Sequence, residues 1–422
     1  MSTRIIKILL AISIMAVILV TIYFLLVLKT GIQMGLIDFR IIPKPKIPKD
    51  PNLIWTVASN PSNNTDYLKS IAVDKSGIYI VGSDFQPGNF QWRIEKRNLE
   101  NGNLIWAVTQ NYSDFSDSAN DVAVDDTGIY IVGISGRKCE WRIEKRDKEN
   151  GNLIWSVTST LGIARAVAVD ETGMYVAGND ASMEKNLWRI EKRNKTNGEL
   201  IWFVATSFNG GADIIKDIAL DSTGIYIVGI DAEKNTSFQV WRIEKRNSKD
   251  GSLIWSTTST PGVFNDVYSA TVDDTGIYIA GEKWIKTQDT SLGTSLWRIE
   301  KRSLVDGNLI WEINSKAEDS KGYLEEPKSL AVDETGLYVV GDYVIKGLDK
   351  EWRIEKRNPK DGSLISVYTS NYSKGYDFPS SIAIDKSGIY IGGVDDQPND
   401  KFPGRLFSKK ENNEWRIEKR KK

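Results

Sequence analysis

The side chains in this chain that could do chemistry are carboxylates, arginines and aromatic rings, because two of the usual catalytic and metal-binding types are almost missing. The 422 residues contain no histidine, and Cys139 is the sole cysteine. This excludes an intrachain disulfide, zinc held by His or Cys, and any triad with His as its base. No Ser, Cys or Lys stands in a recognisable nucleophile motif, so no catalytic residue is assigned. A carboxylate pair of the glycosidase kind stays open, since folding sets its separation. Asp395, Asp396 and Asp400 lie close together and carry the hard oxygens that calcium takes, but a solvated acidic loop is the expected reading, and no cofactor or metal is predicted. Phe85, Tyr112, Phe115, Phe264, Trp284, Tyr343, Tyr372 and Phe402 fall among acidic and amide residues, a mixture suited to a carbohydrate or protein partner. Asn63, Asn111, Asn194, Asn235 and Asn371 each begin an N-x-S or N-x-T acceptor for glycosylation.

What must position these residues is a repeat. The string WRIEKR begins at Trp92 and returns unchanged at Trp141, Trp188, Trp241, Trp297, Trp352 and Trp415. Each copy belongs to a longer unit: SIAVD, a turn, IYIVG, a stretch of varying length, WRIEKR, a second turn, then NLIW. These short runs of β-branched and aromatic residues, bounded by Gly, Asn and Asp, predict four strands per unit, here named A, B, C and D. Seven units of four strands predict an all-β fold, a seven-bladed β-propeller of four-stranded blades over residues 53–422. The first D strand, Leu53 to Val57, has no A, B or C before it, and the last unit, ending at Lys422, has no D after it. The N-terminal strand is therefore expected to complete the last blade and close the ring, which removes an open sheet edge.

Both regular turns follow from their residues. Asp74-Lys-Ser-Gly and its equivalents join A to B, with the Asp expected to accept backbone N–H groups and the Gly to take positive φ. Asn101-Gly and its equivalents join C to D as hairpins. Because strands run alternately up and down, these turns share one face. The B-to-C and D-to-A stretches share the other, and that variable face carries the aromatic and acidic candidates. Within WRIEKR, Trp92, Ile94 and Lys96 point one way and Arg93, Glu95 and Arg97 the other. The repeated Arg, Glu and Arg are expected to form ion pairs between blades.

Residues 8–28 run 21 positions without a charge, enough at about 1.5 Å per residue to cross a bilayer core of roughly 30 Å. They predict a transmembrane signal anchor behind a short tail, 1–7. Residues 29–52, with Pro43, Pro45, Pro48 and Pro51, predict a semi-rigid Pro/Lys-rich stalk. A long domain is translocated largely regardless of flanking charge, so the ring is expected outside the cytoplasm, its regular-turn face toward the membrane. The net charge is −1, each WRIEKR carries two surplus positive charges, and the remainder is acidic, so there is no basic face for nucleic acid.

The order AVD-x-TG-IYIVG, then a strand, then NGNLIW resembles the SBBP-type β-propeller repeat over residues 53–422, and more distantly the tryptophan-containing repeats of pyrroloquinoline-quinone propellers. The resemblance implies a surface, adhesion or assembly module; the alternative is an extracytoplasmic carbohydrate-active or quinone-dependent enzyme on the same scaffold. Quinoprotein dehydrogenases of that kind usually have eight blades and a calcium-bound quinone, unlike the seven units here.

Overall fold

The computed structural model describes residues 51–422 except 63, 87, 183–185, 209–210, 212, 233–238, 261–264, 286–293, 318–324, 345–349, 373–375 and 398–411. The span 8–28, nearly all of the stalk, and Asn63, Asn235, Phe264, Asp400 and Phe402 lie outside the described residues. Every regular element among the described residues is a β-strand, and no helix there is long and apolar enough to cross a membrane.

The first unit shows how the repeat folds. Strand A is Tyr67–Asp74, B is Gly77–Phe85, C is Phe90–Arg97 and D is Leu104–Gln110. They pair antiparallel in the order A, B, C, D. Five such four-stranded sheets recur, together with one of seven strands. In the larger sheet a single strand, Leu153–Asp170, pairs with Glu140–Arg146 through its first half and with Gly173–Asp180 through its second. The D-to-A connection there is so short that one strand serves both purposes. The N-terminal strand Leu53–Ser59 pairs with Asn412–Arg420, placing Leu53 opposite Arg420 and Ser59 opposite Trp415, as the missing D strand predicts.

Successive units meet through the Trp, Ile and Lys face of strand C. Trp92 is fully buried and its ring packs against Gly133 of the next unit, where an added Cβ would stand 2.8 Å from Trp92 Cζ2. The same contact joins Trp141 to Gly178, Trp188 to Gly229, Trp241 to Gly281, Trp297 to Gly341 and Trp352 to Gly393, and Trp415 of the last unit packs on Gly82 of the first. The lysine on that face is buried as well in six of the seven units. Lys301 Nζ lies over the Tyr278 ring, donates to Thr275 Oγ1 at 2.7 Å, and reaches the carbonyl of Pro359 in the next unit at 3.0 Å.

Two expectations need correction. The Arg-Glu-Arg groups do not pair between units: Arg93 and Arg97 both close on Glu95 of their own strand, at 2.7 and 2.6 Å, and the pattern repeats along the chain. Residues two apart on a strand share a face, so these partners are the nearest available. A hydroxyl makes the link between units instead, as when Ser259 donates to Glu300 at 2.6 Å and Ser315 to Glu355 at 2.7 Å. The second correction concerns the A-to-B glycine. Asp74 does accept the Ser76 N–H at 2.8 Å, but Gly77 does not adopt positive φ; a Cβ there would stand 2.9 Å from Lys96 Cε and 3.0 Å from the Arg97 carbonyl. Crowding, not conformation, calls for glycine. In the C-to-D turn both reasons hold, since Gly102 has φ of 72° and lies against the Trp55 ring.

Candidate functional site

Where strand A leaves the variable loops, its pairing with strand B slips by one residue in all seven units. The skipped residues are Lys69, Asn120, Arg165, Lys216, Tyr268, Lys328 and Ser380. A bulge adds one unpaired residue and re-aims its side chain. Here it recurs at one height in the innermost strands, each of which lies against the A strands of its two neighbours. Where it is Asp or Ser, the residue after the bulge links neighbouring strands. Asp121 accepts the Ser70 hydroxyl at 2.6 Å from the unit before and the Val167 N–H at 2.8 Å from the unit after. Asp217 likewise accepts the Ser269 hydroxyl and the Ala270 N–H, both at 2.9 Å. Burial pushes Asp121 up to about 7, helped by the charge of Asp217, and pushes Asp217 up to about 6.

Four of the seven bulged residues are cations. Lys328 pairs with Glu326 at 2.7 Å and Lys216 with Asp266 at 2.8 Å. Lys350 bridges Glu326 and Asp342, while Tyr268 donates its hydroxyl to Glu326 at 2.8 Å. This side of the ring is internally compensated. The opposite side is not: Lys69 has the Tyr67 ring at 5.3 Å and Arg165 the Asn179 side-chain oxygen at 3.0 Å, and among the described residues neither forms an ion pair. The Lys69 side chain is solvent-exposed, yet the surrounding protein and then the Lys328 charge hold its ammonium below the usual lysine range. Burial also lowers Arg165, which stays a cation. The arrangement can receive an anionic group beside Lys69, Asn120 and Arg165.

The residues singled out from the sequence scatter around this ring. Trp284 lies beside Glu282, a carboxyl pushed up to about 7 by burial and by the charges of Glu326 and Asp266. Phe85 stacks edge-on with Phe90, itself 5.7 Å from the Tyr67 ring. Phe115 is exposed beside Arg137. Tyr112 and Tyr372 instead pack on Trp92 and Trp352 and donate their hydroxyls to Glu144 and Glu418, and Tyr343 is buried with its hydroxyl on Glu351 at 2.8 Å. Asp395 is buried against Arg416, and the Asp396 backbone N–H donates to Asp377. Among the described residues no group of acids is arranged to hold a metal ion. Asn111 is exposed, whereas Asn194 and Asn371 are half-buried, the latter donating to Glu351 at 2.9 Å.

Several described acids of the variable loops serve the backbone. Asp66, Asp117, Asp213 and Asp377 are fully buried. Asp117, for example, accepts the N–H groups of Tyr112 and Gly136, both at 2.8 Å, tying the D-to-A loop to the end of strand B. The bulged ring was missed in the sequence, although its signal was present: the residue just before the S-I-A-V-D motif is Lys or Arg in four of the seven units.

No protein-family model matches the chain, and no curated protein matches it. Solved structures do. The quinohemoprotein alcohol dehydrogenase ADHIIG from Pseudomonas putida HK5 is similar over 87% of this chain and 76% of its own, at 11% identity and a TM-score of 0.50. U3-55K is similar over 86% of this chain and 98% of its own, at 10% identity and a TM-score of 0.56. The WD40 repeats of RRP9 match over 86% and 97%, at 10% identity and a TM-score of 0.55. Likeness at such low identity concerns the fold alone, and with the four-stranded antiparallel sheets it makes this chain a β-propeller repeat protein.

Proposed function

We propose that the chain is a membrane-tethered binding or assembly module, a seven-bladed propeller of SBBP-type repeats whose partner docks at the bulged ends of the inner strands. The blade count is supported by the order of neighbouring A strands, which returns from Phe378–Asp385 to Tyr67–Asp74, and by Trp415 packing on Gly82. In the seven-stranded sheet, the two halves of Leu153–Asp170 then serve two adjacent blades. The tether rests on the uncharged run 8–28, and the extracytoplasmic location on the length of the domain that follows it. Protease added to intact cells should remove the propeller.

One observation carries the binding role: at the single height where every inner strand bulges, the side chain changes from unit to unit while the turns at the other end repeat almost unchanged. Function resides in such departures from a rigid scaffold. Lys69 and Arg165 without acidic partners select a partner that presents carboxylate or phosphate groups. The full chain in lipid nanodiscs, used to capture partners, should lose them on Lys69→Ala with Arg165→Ala at unchanged melting temperature. Retention in that variant, with loss on Lys75→Ala and Glu149→Ala at the regular-turn end, would refute the assignment.

A further inference from the structure

Six D strands carry tryptophan at the third place of L-I-W: Trp55, Trp106, Trp155, Trp202, Trp255 and Trp311. The seventh, Leu364–Ser370, reads LISVYTS and has Ser366 there. Elsewhere the indole fills one recurring space. Trp202, Trp255 and Trp311 stand 6.1 to 6.3 Å from the strand-B tyrosines Tyr175, Tyr226 and Tyr278 of their own units. The C-to-D turn of the next unit covers the ring, and its carbonyl accepts the indole N–H, as Leu304 does from Trp255 at 3.2 Å. Beside Leu364–Ser370 the described surroundings differ: the D strand of the next unit is Leu53–Ser59, paired with Asn412–Arg420, and Asn52, Lys421 and Lys422 line that end of the space.

The indole is missing here, and among the described residues a cavity of about 230 Å³ remains, lined by Tyr338, Ile354, Ser366, Tyr368 and Ile389 together with Asn52, Arg420, Lys421 and Lys422. A cavity of roughly 150 Å³ with apolar walls already admits benzene. Lys356 also lines it and differs from its six equivalents, which are 3 to 7% exposed. It is half-exposed, and among the described residues its ammonium has only the Tyr338 ring, 5.5 Å away. Lys301, its counterpart one unit earlier, has both a hydroxyl and a carbonyl. An unpaired cation stands at the side of an aromatic socket.

We propose that this socket binds a planar aromatic molecule of indole size bearing a carboxylate, the ring taking the space that tryptophan fills in the other units and the carboxylate meeting Lys356. This site is separate from the bulged ends of the inner strands and does not depend on that reading. The test uses the full chain in nanodiscs, with indole-3-acetate and indole as probes, followed by calorimetry and saturation-transfer NMR. Saturable one-to-one binding of indole-3-acetate is expected. Ser366→Trp should abolish binding of both probes, and Lys356→Ala should weaken indole-3-acetate about tenfold or more while leaving indole unchanged, as loss of a charged hydrogen bond implies. No saturation by about 5 mM probe overturns the proposal. So does undiminished binding by Ser366→Trp; should that variant fail to fold, equal weakening of both probes by Lys356→Ala overturns it.

Discussion

Truncating Trp415 to alanine measures whether the two ends of the chain are joined. Trp415 lies in the last C strand, is fully buried, and packs on Gly82 in the first unit. Its matched control is Trp188, which is 1% exposed and packs on Gly229 between two interior units. The indole N–H of each has no acceptor among the described residues, so no hydrogen bond separates the two cases. Replacing a buried tryptophan by alanine costs about 3–5 kcal/mol, from lost transfer free energy and the cavity left behind. If the ends are paired as Leu53–Ser59 and Asn412–Arg420 indicate, both variants should lose that amount. If the ends separate in solution, Trp415 would face water on one side and its removal would cost less than about half as much. Urea unfolding of the purified chain, followed by far-ultraviolet circular dichroism, reads both values, with equal m-values required for the comparison. A loss of 3–5 kcal/mol for Trp188→Ala beside one under about 1 kcal/mol for Trp415→Ala would refute closure.

Asp121 and Asp217 predict an unusual pH dependence. Each binds its proton more tightly in the folded chain than at its ordinary value of 3.8, so their contribution to stability is greatest below that value and falls as the pH rises through about 6 to 7. Replacing both by serine, the residue at this place in four other units, should flatten the fall in melting temperature between pH 5 and pH 8; an unchanged slope would refute the assignment. Glu95→Gln should cost about 3–5 kcal/mol by leaving Arg93 and Arg97 without their buried carboxylate. Lys75→Ala, which breaks an ion pair with both partners exposed, should stay within about 0.5 kcal/mol in the same denaturation assay.

The sequence by itself determined the strands, their order and the pairing of the two ends. Those features are local or arithmetical: β-branched and aromatic runs between Asn-Gly, Asp-Gly and Thr-Gly turns define hairpins, and a unit short of one strand at each end has a single way to complete its sheet. It also placed Arg93, Glu95 and Arg97 on one face, because alternation along a strand needs no partner. Which partner each would choose was left to the tertiary structure. Glu95 turned to its own strand because its arginines stand one pleat away, while the neighbouring unit offered hydroxyls. Tyr112 and Tyr372, drawn from variable loops, folded inward onto tryptophans and glutamates in the same way. The bulge at Lys69 and its equivalents was beyond the sequence for a related reason: a one-residue slip exists only between two strands, and the identity of the skipped residue depends on how strand B is held from its other side. The space beside Ser366 was beyond the sequence too, because it is bounded by Tyr338, Ile354 and Tyr368 of one unit and by Ile389 and Asn52 of the unit that Leu53–Ser59 and Asn412–Arg420 complete.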